Sequence, residues 1–181
     1  SQIYPAITMS NWVTDSPNPI TGRSIPLEYR FHVAMAGMLG IGGNLTQWSS
    51  ADLQHGASLV SLYKEIRTTV QRGRLYRLGG QPGTELSAVQ YIHESDVVVL
   101  AYEPRRSFDS GRRLFRLAGL NPDTVYEDSR TGERQSGQWL MEQGIDLWNG
   151  TPESTKNGTI RFSRADYNSV VIRLREHEVD R

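Results

Sequence analysis

The sequence predicts an α/β front followed by an all-β back: strand–helix units in parallel order, then an antiparallel sheet or sandwich of short strands. Helical periodicity runs through the first part of the chain and disappears beyond Gly83. A short apolar segment precedes each of two amphipathic helices, the order that implies parallel strands. Val97–Tyr102 and Val170–Arg175 are β-rich runs with no helical pattern. The seam between the two parts lies near Gly79–Gly83, dividing 1–80 from 81–181.

In the front part, Ile3-Tyr4-Pro5-Ala6-Ile7-Thr8-Met9 is apolar and suits a buried strand. A polar loop, Asn11–Arg23, follows with Pro17, Pro19 and Gly22. Pro26 stands where the first helical turn begins, where its missing N–H costs nothing. Leu27, Phe31, Ala34, Met35 and Met38 then recur at helical spacing. Met38-Leu39-Gly40-Ile41 is a second short strand, leading into Gly42-Gly43-Asn44. The next helix opens at Ser49, with Asp52 three residues on in a capping-box-like pair. It carries a stripe of Leu59, Leu62, Tyr63, Ile66 and Val70 and stops at Gly73, a residue suited to C′. Two parallel strands leave an apolar face and two open edges, so this front is predicted to be incomplete by itself.

In the back part, Ser87–His93, Val97–Tyr102, Leu114–Leu117 and Thr124–Glu127 are candidate strands, and Ser129–Gly132 reads as a turn. Trp139-Leu140-Met141 and Ile145–Trp148 bracket Gly144. In the last strand Val170, Ile172 and Leu174 alternate with Val171, Arg173 and Arg175, one row inward and the other mostly outward.

Composition bounds the function. Twenty Lys and Arg balance twenty Asp and Glu, which provides no basic field for nucleic acid or an anionic membrane. No run approaches the roughly 18 apolar residues of a spanning helix, and no basic-then-apolar leader is present. The chain starts at Ser1 without an initiator Met and reads as a cut piece. Cysteine is absent, which excludes disulfides, thiolate metal sites and a cysteine nucleophile. That fits a cytoplasmic protein and does not exclude export. Three sequons, at Asn44, Asn149 and Asn157, read as turn chemistry.

Few local patterns carry chemistry. The segment Trp12-Val13-Thr14-Asp15-Ser16-Pro17-Asn18-Pro19 follows a parallel strand at its carboxyl end, where α/β architectures bind ligands. Trp12 can stack on a sugar ring, and Asp15 and Asn18 can bond hydroxyls; equally, the stretch reads as a Pro-stiffened connection with Trp12 packed beneath it. Gly40-Ile41-Gly42-Gly43 lacks the later glycine and acidic partner of a dinucleotide loop and reads as a close backbone turn. His32, His55, His93 and His177 lack metal-like spacing, and no Ser-His-Asp grouping stands out. Arg105, Arg106, Arg112 and Arg113 read as a solvated face, with anion binding the alternative. No pair of carboxylates is placed as acid and nucleophile. Neither cofactor nor metal is implied.

The ordered pattern resembles glycoside hydrolase family 36 α-galactosidases. It runs from Met9–Arg23 through Pro26-Leu27, Phe31–Met35, Leu39-Gly40, Tyr63–Arg67, Val70-Gln71 and Gly73–Leu78. It continues in Arg116–Leu120, Ser136–Gly144 and Asp166–Ser169. The resemblance implies the last two βα units of a (β/α)₈ TIM barrel followed by an antiparallel β-sandwich or sheet domain. It further implies retaining hydrolysis of terminal α-galactosides by two aspartates, about 5 Å apart across the scissile bond. Both belong to strands upstream of Ser1, so no residue of this chain inherits a catalytic role. The implied partners are the upstream barrel sequence, α-galactoside oligosaccharides and further copies of the parent in a homo-oligomer. Two departures stand out: Trp12 occupies a position where many members carry histidine, and Pro19-Ile20 replaces a His-Gln pair before Thr21-Gly22-Arg23. Two other classes remain open. One is a non-catalytic carbohydrate-binding module using Trp12, Trp48, Trp139 or Trp148 as platforms. The other is a structural or interaction domain that binds no sugar.

Overall fold

Two helices lie between a pair of parallel strands and one face of an antiparallel sheet. The computed structural model describes residues 3–79, 86–105, 114–147 and 166–177. The first strand is Ser10–Val13 (β1), not the expected Ile3–Met9, where Ala6–Thr8 forms a 3₁₀ turn and Ile3, Tyr4 and Ile7 are exposed. Pro5 caps that turn and breaks the extended run. Helix α1 is Leu27–Met35, with Pro26 at the N-cap, one position before the expected first turn, and Phe31, Ala34 and Met35 buried. Met38 belongs to β2, Met38–Ile41, which pairs in parallel with β1 from Ser10↔Met38 to Val13↔Ile41.

Helix α2 spans Ser50–Arg72. The Ser49 hydroxyl accepts from Asp52 N–H at 3.1 Å and donates to the Asp52 carboxylate at 2.7 Å, so a capping pair sets its start. Leu59, Tyr63, Ile66 and Val70 are buried as the periodicity requires, and Leu62 packs at the edge of the same core. Gly73 ends the helix, but with φ of −72° rather than in the left-handed region. Its reason is space. A β-carbon there would meet the Thr69 carbonyl oxygen at 2.3 Å and the Ile92 carbonyl oxygen at 2.8 Å. The chain passes at that point directly from helix into sheet.

The stretch just after Gly73, within the expected front part, is strand β3, Arg74–Gly79, paired with β4, Ser87–His93. The remaining large-sheet strands are β5 (Asp96–Glu103), β7 (Val125–Asp128), β8 (Arg134–Ser136) and β10 (Asn168–Glu176). Every pairing is antiparallel, in the order β3-β4-β5-β10-β7-β8. The expected antiparallel β domain is thus present. Leu114–Phe115 (β6) and Ile145–Asp146 (β9) form a separate short ladder, and Gly137–Glu142 is a one-and-a-half-turn helix, α3, that the strand pattern does not anticipate. Seam residues 80–83 lie outside the described residues.

Both faces of the sheet are buried, which accounts for the unbroken apolar run in β5. Val97, Val99 and Ala101 join Val170, Ile172, Leu174, Leu117, Leu120 and Leu147 on one side. Val98, Leu100 and Val171 join Phe31, Met35, Leu59, Ile66 and Val70 on the other. Of the β10 row expected to face mostly outward, Val171 is buried under the helices and Arg173 is half-buried beside α2, while Arg175 is exposed as expected. Arg173 donates to Asp96 at 2.7 Å and reaches Glu65 of α2 at 3.4 Å. Asp96 in turn accepts from the Thr69 hydroxyl. On the opposite face the fully buried Gln90 pairs its amide with the Ala118 peptide, donating at 2.8 Å and accepting at 3.0 Å.

His32 is a satisfied interior residue. Its Nδ1 lies 2.9 Å from the Ser169 hydroxyl, and Glu28 is 4.0 Å from Nε2. Burial pulls its pKa from 6.5 down to about 4, with repulsion from His55 adding to the shift and the hydrogen bond to Ser169 opposing it. A folded-state pKa below the unfolded one means that the unfolded chain takes up the proton first as pH falls. Stability linked to His32 is intact above about pH 6.5 and falls progressively towards pH 4, by about 3 kcal/mol in all. Thermal melts across this range should show His32→Asn losing less stability than wild type, and equal losses would contradict the assignment. Gly73→Ala should cost about 2 kcal/mol in denaturant unfolding, because backbone atoms on two elements must move.

Candidate functional site at the carboxyl end of the parallel strands

The carboxyl ends of β1 and β2 are joined by backbone contacts that the two glycines allow. Val13 C=O accepts from Gly42 N–H at 2.9 Å and from Gly43 N–H at 3.1 Å. Asp15 Oδ1 then accepts from Asn44 N–H at 2.9 Å. A β-carbon on Gly43 would lie 2.7 Å from that carboxylate oxygen. Gly42-Gly43 is thus the close turn expected from the sequence. Asn44 caps a 3₁₀ turn, accepting from Thr46 N–H at 3.1 Å and from its hydroxyl at 2.7 Å. That is the turn chemistry expected of the first sequon; the sequons at Asn149 and Asn157 lie outside the described residues.

Trp12 lies in β1 rather than in a loop and is 62% exposed. Side chains alternate across a strand. Val13 is fully buried against α1 and α2, so Trp12 stands on the face away from the helices. Its cross-strand partner is Gly40. A β-carbon on Gly40 would sit 2.8 Å from Trp12 Cε3 and Cζ3, and one on Gly42 would lie 3.4 Å from Cε3. The indole covers bare glycine backbone, a pairing known to compensate for glycine in sheets.

Asp15 and Asn18 serve the connection itself. Asn18 Oδ1 accepts from Ile20 N–H at 3.0 Å, Thr21 N–H at 2.9 Å and the Thr21 hydroxyl at 3.2 Å. Asn18 backbone bonds reach Gly22 and Arg23, and Ser16-Pro17 is a cis peptide. The Arg30 guanidinium donates to Thr14 C=O from beneath. Burial lowers the Arg30 pKa, while Asp15 and Asp52 act in the opposite direction. Asp15 thus accepts a backbone N–H and also lies in the field of a cation, and it is half-buried. The structure brings Trp12 and Asp15 to one strand end and turns the Asn18 oxygen inward on its own turn.

Trp48 is no platform: it packs edge-on against Phe31 at 6.3 Å and over Gly56. Trp139 on α3 is 51% exposed. Trp148, Arg106, Arg112 and Arg113 lie outside the described residues, and Arg105 is exposed. Sequence reasoning missed the dependence of Trp12 on Gly40, whose only signal was a glycine inside a short strand.

Two family models cover most of the chain between them. The model described as "Melibiase" matches residues 1–73, and that for the "Glycosyl hydrolase family 36 C-terminal domain" matches residues 86–174. Both place the chain among glycoside hydrolases. α-Galactosidase 1 of Pediococcus pentosaceus is 32% identical over 147 residues, covering 80% of this chain and 20% of that enzyme. α-Galactosidase Mel36A of Lactobacillus acidophilus is 32% identical over 146 residues, with the same shares. Among solved structures, the family 36 α-galactosidase AgaA of Geobacillus stearothermophilus superposes with a TM-score of 0.83 at 26% identity, over 97% of this chain and 23% of that one. The galactosidase domain of the α-galactosidase–sucrose kinase AgaSK superposes at 0.82 and 27% identity, over 96% of this chain and 23% of that one. The chain belongs to glycoside hydrolase family 36 and corresponds to the C-terminal part of the α-galactosidases it matches. It spans about a fifth of the length of the curated relatives it matches.

If Gly40 is bare in order to seat the indole, Gly40→Ala should displace Trp12 and shift the tryptophan emission of the folded chain. It should cost about 1 kcal/mol, since an exposed ring can swing aside. In the Trp12→Ala background the same substitution should be nearly neutral. A double-mutant cycle with no coupling would contradict this dependence.

Proposed function

We propose that the chain supplies the last two strand–helix units of the (β/α)₈ barrel and the supporting β domain of a retaining α-galactosidase. The two parts, 1–80 and 81–181, meet at about residue 80, although β3 at the end of the first already pairs with the sheet. The observation that carries the reading is the orientation of Trp12. Helices cover the outside of such a barrel, and the substrate meets the carboxyl ends of its strands. Val13 faces α1 and α2. Trp12, one residue earlier on β1, therefore faces the side that a closed barrel encloses, at the ligand end. Trp12 forms an apolar wall for a sugar or its leaving group. Asp15 is its polar neighbour, and Asn18 holds the rim in shape.

Terminal α-galactosides are the substrates best supported. The matched relatives are α-galactosidases, and structures of AgaA include complexes with raffinose and stachyose. Hydrolysis with retention needs two carboxyl groups about 5 Å apart. The family resemblance assigns both to earlier strands, so this chain contributes wall and support rather than acid, base or nucleophile. Its partners are the preceding barrel strands, which pair along the free edges of β1 and β2, and further copies of the parent enzyme. Among the described residues no helix is long and apolar enough to cross a membrane. The absence of cysteine suits the cytoplasm.

The purified chain should release no nitrophenol from p-nitrophenyl α-galactoside above the buffer rate. Sustained turnover that disappears when one of its own carboxylates is replaced would overturn the proposal.

A further inference from the structure

On the sheet face opposite α1 and α2, a cavity of about 360 Å³ opens between α3, β7, β8 and β9. Its size lies at the lower end of the range for small-molecule sites and suits one or two sugar rings. Trp139 forms one wall with its ring half-exposed, and Tyr126 forms part of the floor. Gln135, Gln143, Glu133 and Asp146 also line it. The surroundings are rigid: α3 starts at the Ser136 cap, whose hydroxyl accepts from Trp139 N–H at 3.1 Å. Gly144 closes its end, with φ of +87° and no room for a β-carbon beside Phe115 and Arg116.

We propose that this cavity is a second saccharide site, taking a neutral pyranoside stacked on Trp139. The chemistry selects that class. An indole face meets the C–H face of a sugar ring, and a primary amide both donates to and accepts from hydroxyls. Lining carboxylates disfavour an anionic ligand and can accept hydrogen bonds from sugar hydroxyls. Glu133 and Asp146 each interact with a neighbouring group already, and the Asp128 carboxylate is held by Arg130 at 2.6 Å. The acids therefore do not form a bare cation site, and among the described residues no metal-holding cluster occurs. The site does not depend on Trp12 or on the barrel reading.

The chain carrying Trp12→Ala removes the rim platform and isolates the sheet cavity, so failure here and failure of the barrel reading can be told apart. Calorimetry of this variant with raffinose should give a dissociation constant of about a millimolar. Adding Trp139→Ala or Gln143→Ala should weaken binding about tenfold or more. Gln143 is exposed and is the decisive position if loss of Trp139 impairs folding. No heat of binding in the Trp12→Ala chain, or binding left intact by both additional substitutions, would overturn the site.

Discussion

Three tyrosine hydroxyls converge on the carboxyl end of α1, and two of them tie the two parts of this chain together. The last carbonyls of a helix lack intrahelical partners, and α1 ends against other elements rather than in water. Its final turn tightens, Ala36 N–H bonding Val33 C=O and Gly37 N–H bonding Ala34 C=O. Tyr102 of β5 donates to His32 C=O at 3.0 Å, Tyr91 of β4 to Ala36 C=O at 3.3 Å, and Tyr63 of α2 to Gly37 C=O at 2.7 Å. Tyr63 also accepts from Leu39 N–H at 3.2 Å and from Gln71 at 2.9 Å. One phenol thus links α1, α2 and the start of β2. Burial raises the pKa of Tyr91 to about 12 and lifts that of Tyr102 well above the ordinary tyrosine value, so both stay protonated donors.

This clasp explains why the sheet carries apolar residues on both faces. A β domain connected only by a linker would show polar residues on its solvent face. Here Val98, Leu100 and Val171 pack under α1 and α2, with Arg173, Asp96 and Thr69 as the polar tie at the margin. The helices in turn hold β1 and β2 in parallel register through Val13. The position of Trp12 therefore depends on contacts that reach back to β4, β5 and β10. Gly73 serves the same constraint, since α2 and β3 are adjacent with no linker between them.

The elements that were legible in the sequence are those whose signal is local. The Ser49–Asp52 cap, the α2 stripe, Pro26 before α1 and the alternation of β10 all follow from neighbouring residues. The first strand was displaced because Pro5 interrupts an apolar run that is otherwise strand-like, while the polar-looking Ser10–Val13 gains its partner from β2. Strand β3 was hidden because Arg74–Gly79 alternates charged and apolar residues only weakly, and its pairing with β4 is tertiary information. Gly73 stops α2 as its position predicts, through want of space rather than through a left-handed φ. Of the site, Trp12 was visible as an unusual residue. Its dependence on Gly40 and the inward turn of Asn18 both rest on contacts between separate parts of the chain or between backbone and side chain.

The same geometry constrains what this segment can contribute to recognition. A residue that selects among sugars needs polar atoms not committed elsewhere, because specificity comes from bonds the wrong ligand fails to make. The Asn18 oxygen already receives three donors from its own turn, and one Asp15 oxygen is bonded to Asn44. What remains at the strand end is chiefly the indole face of Trp12, held above glycine backbone and 62% exposed. An indole discriminates by shape and by the apolar area it covers, while one or two methylenes in an apolar contact change binding by only about 1–3 kcal/mol. On the proposed barrel reading, the rim built by this chain would therefore favour or obstruct the flat side of a ligand.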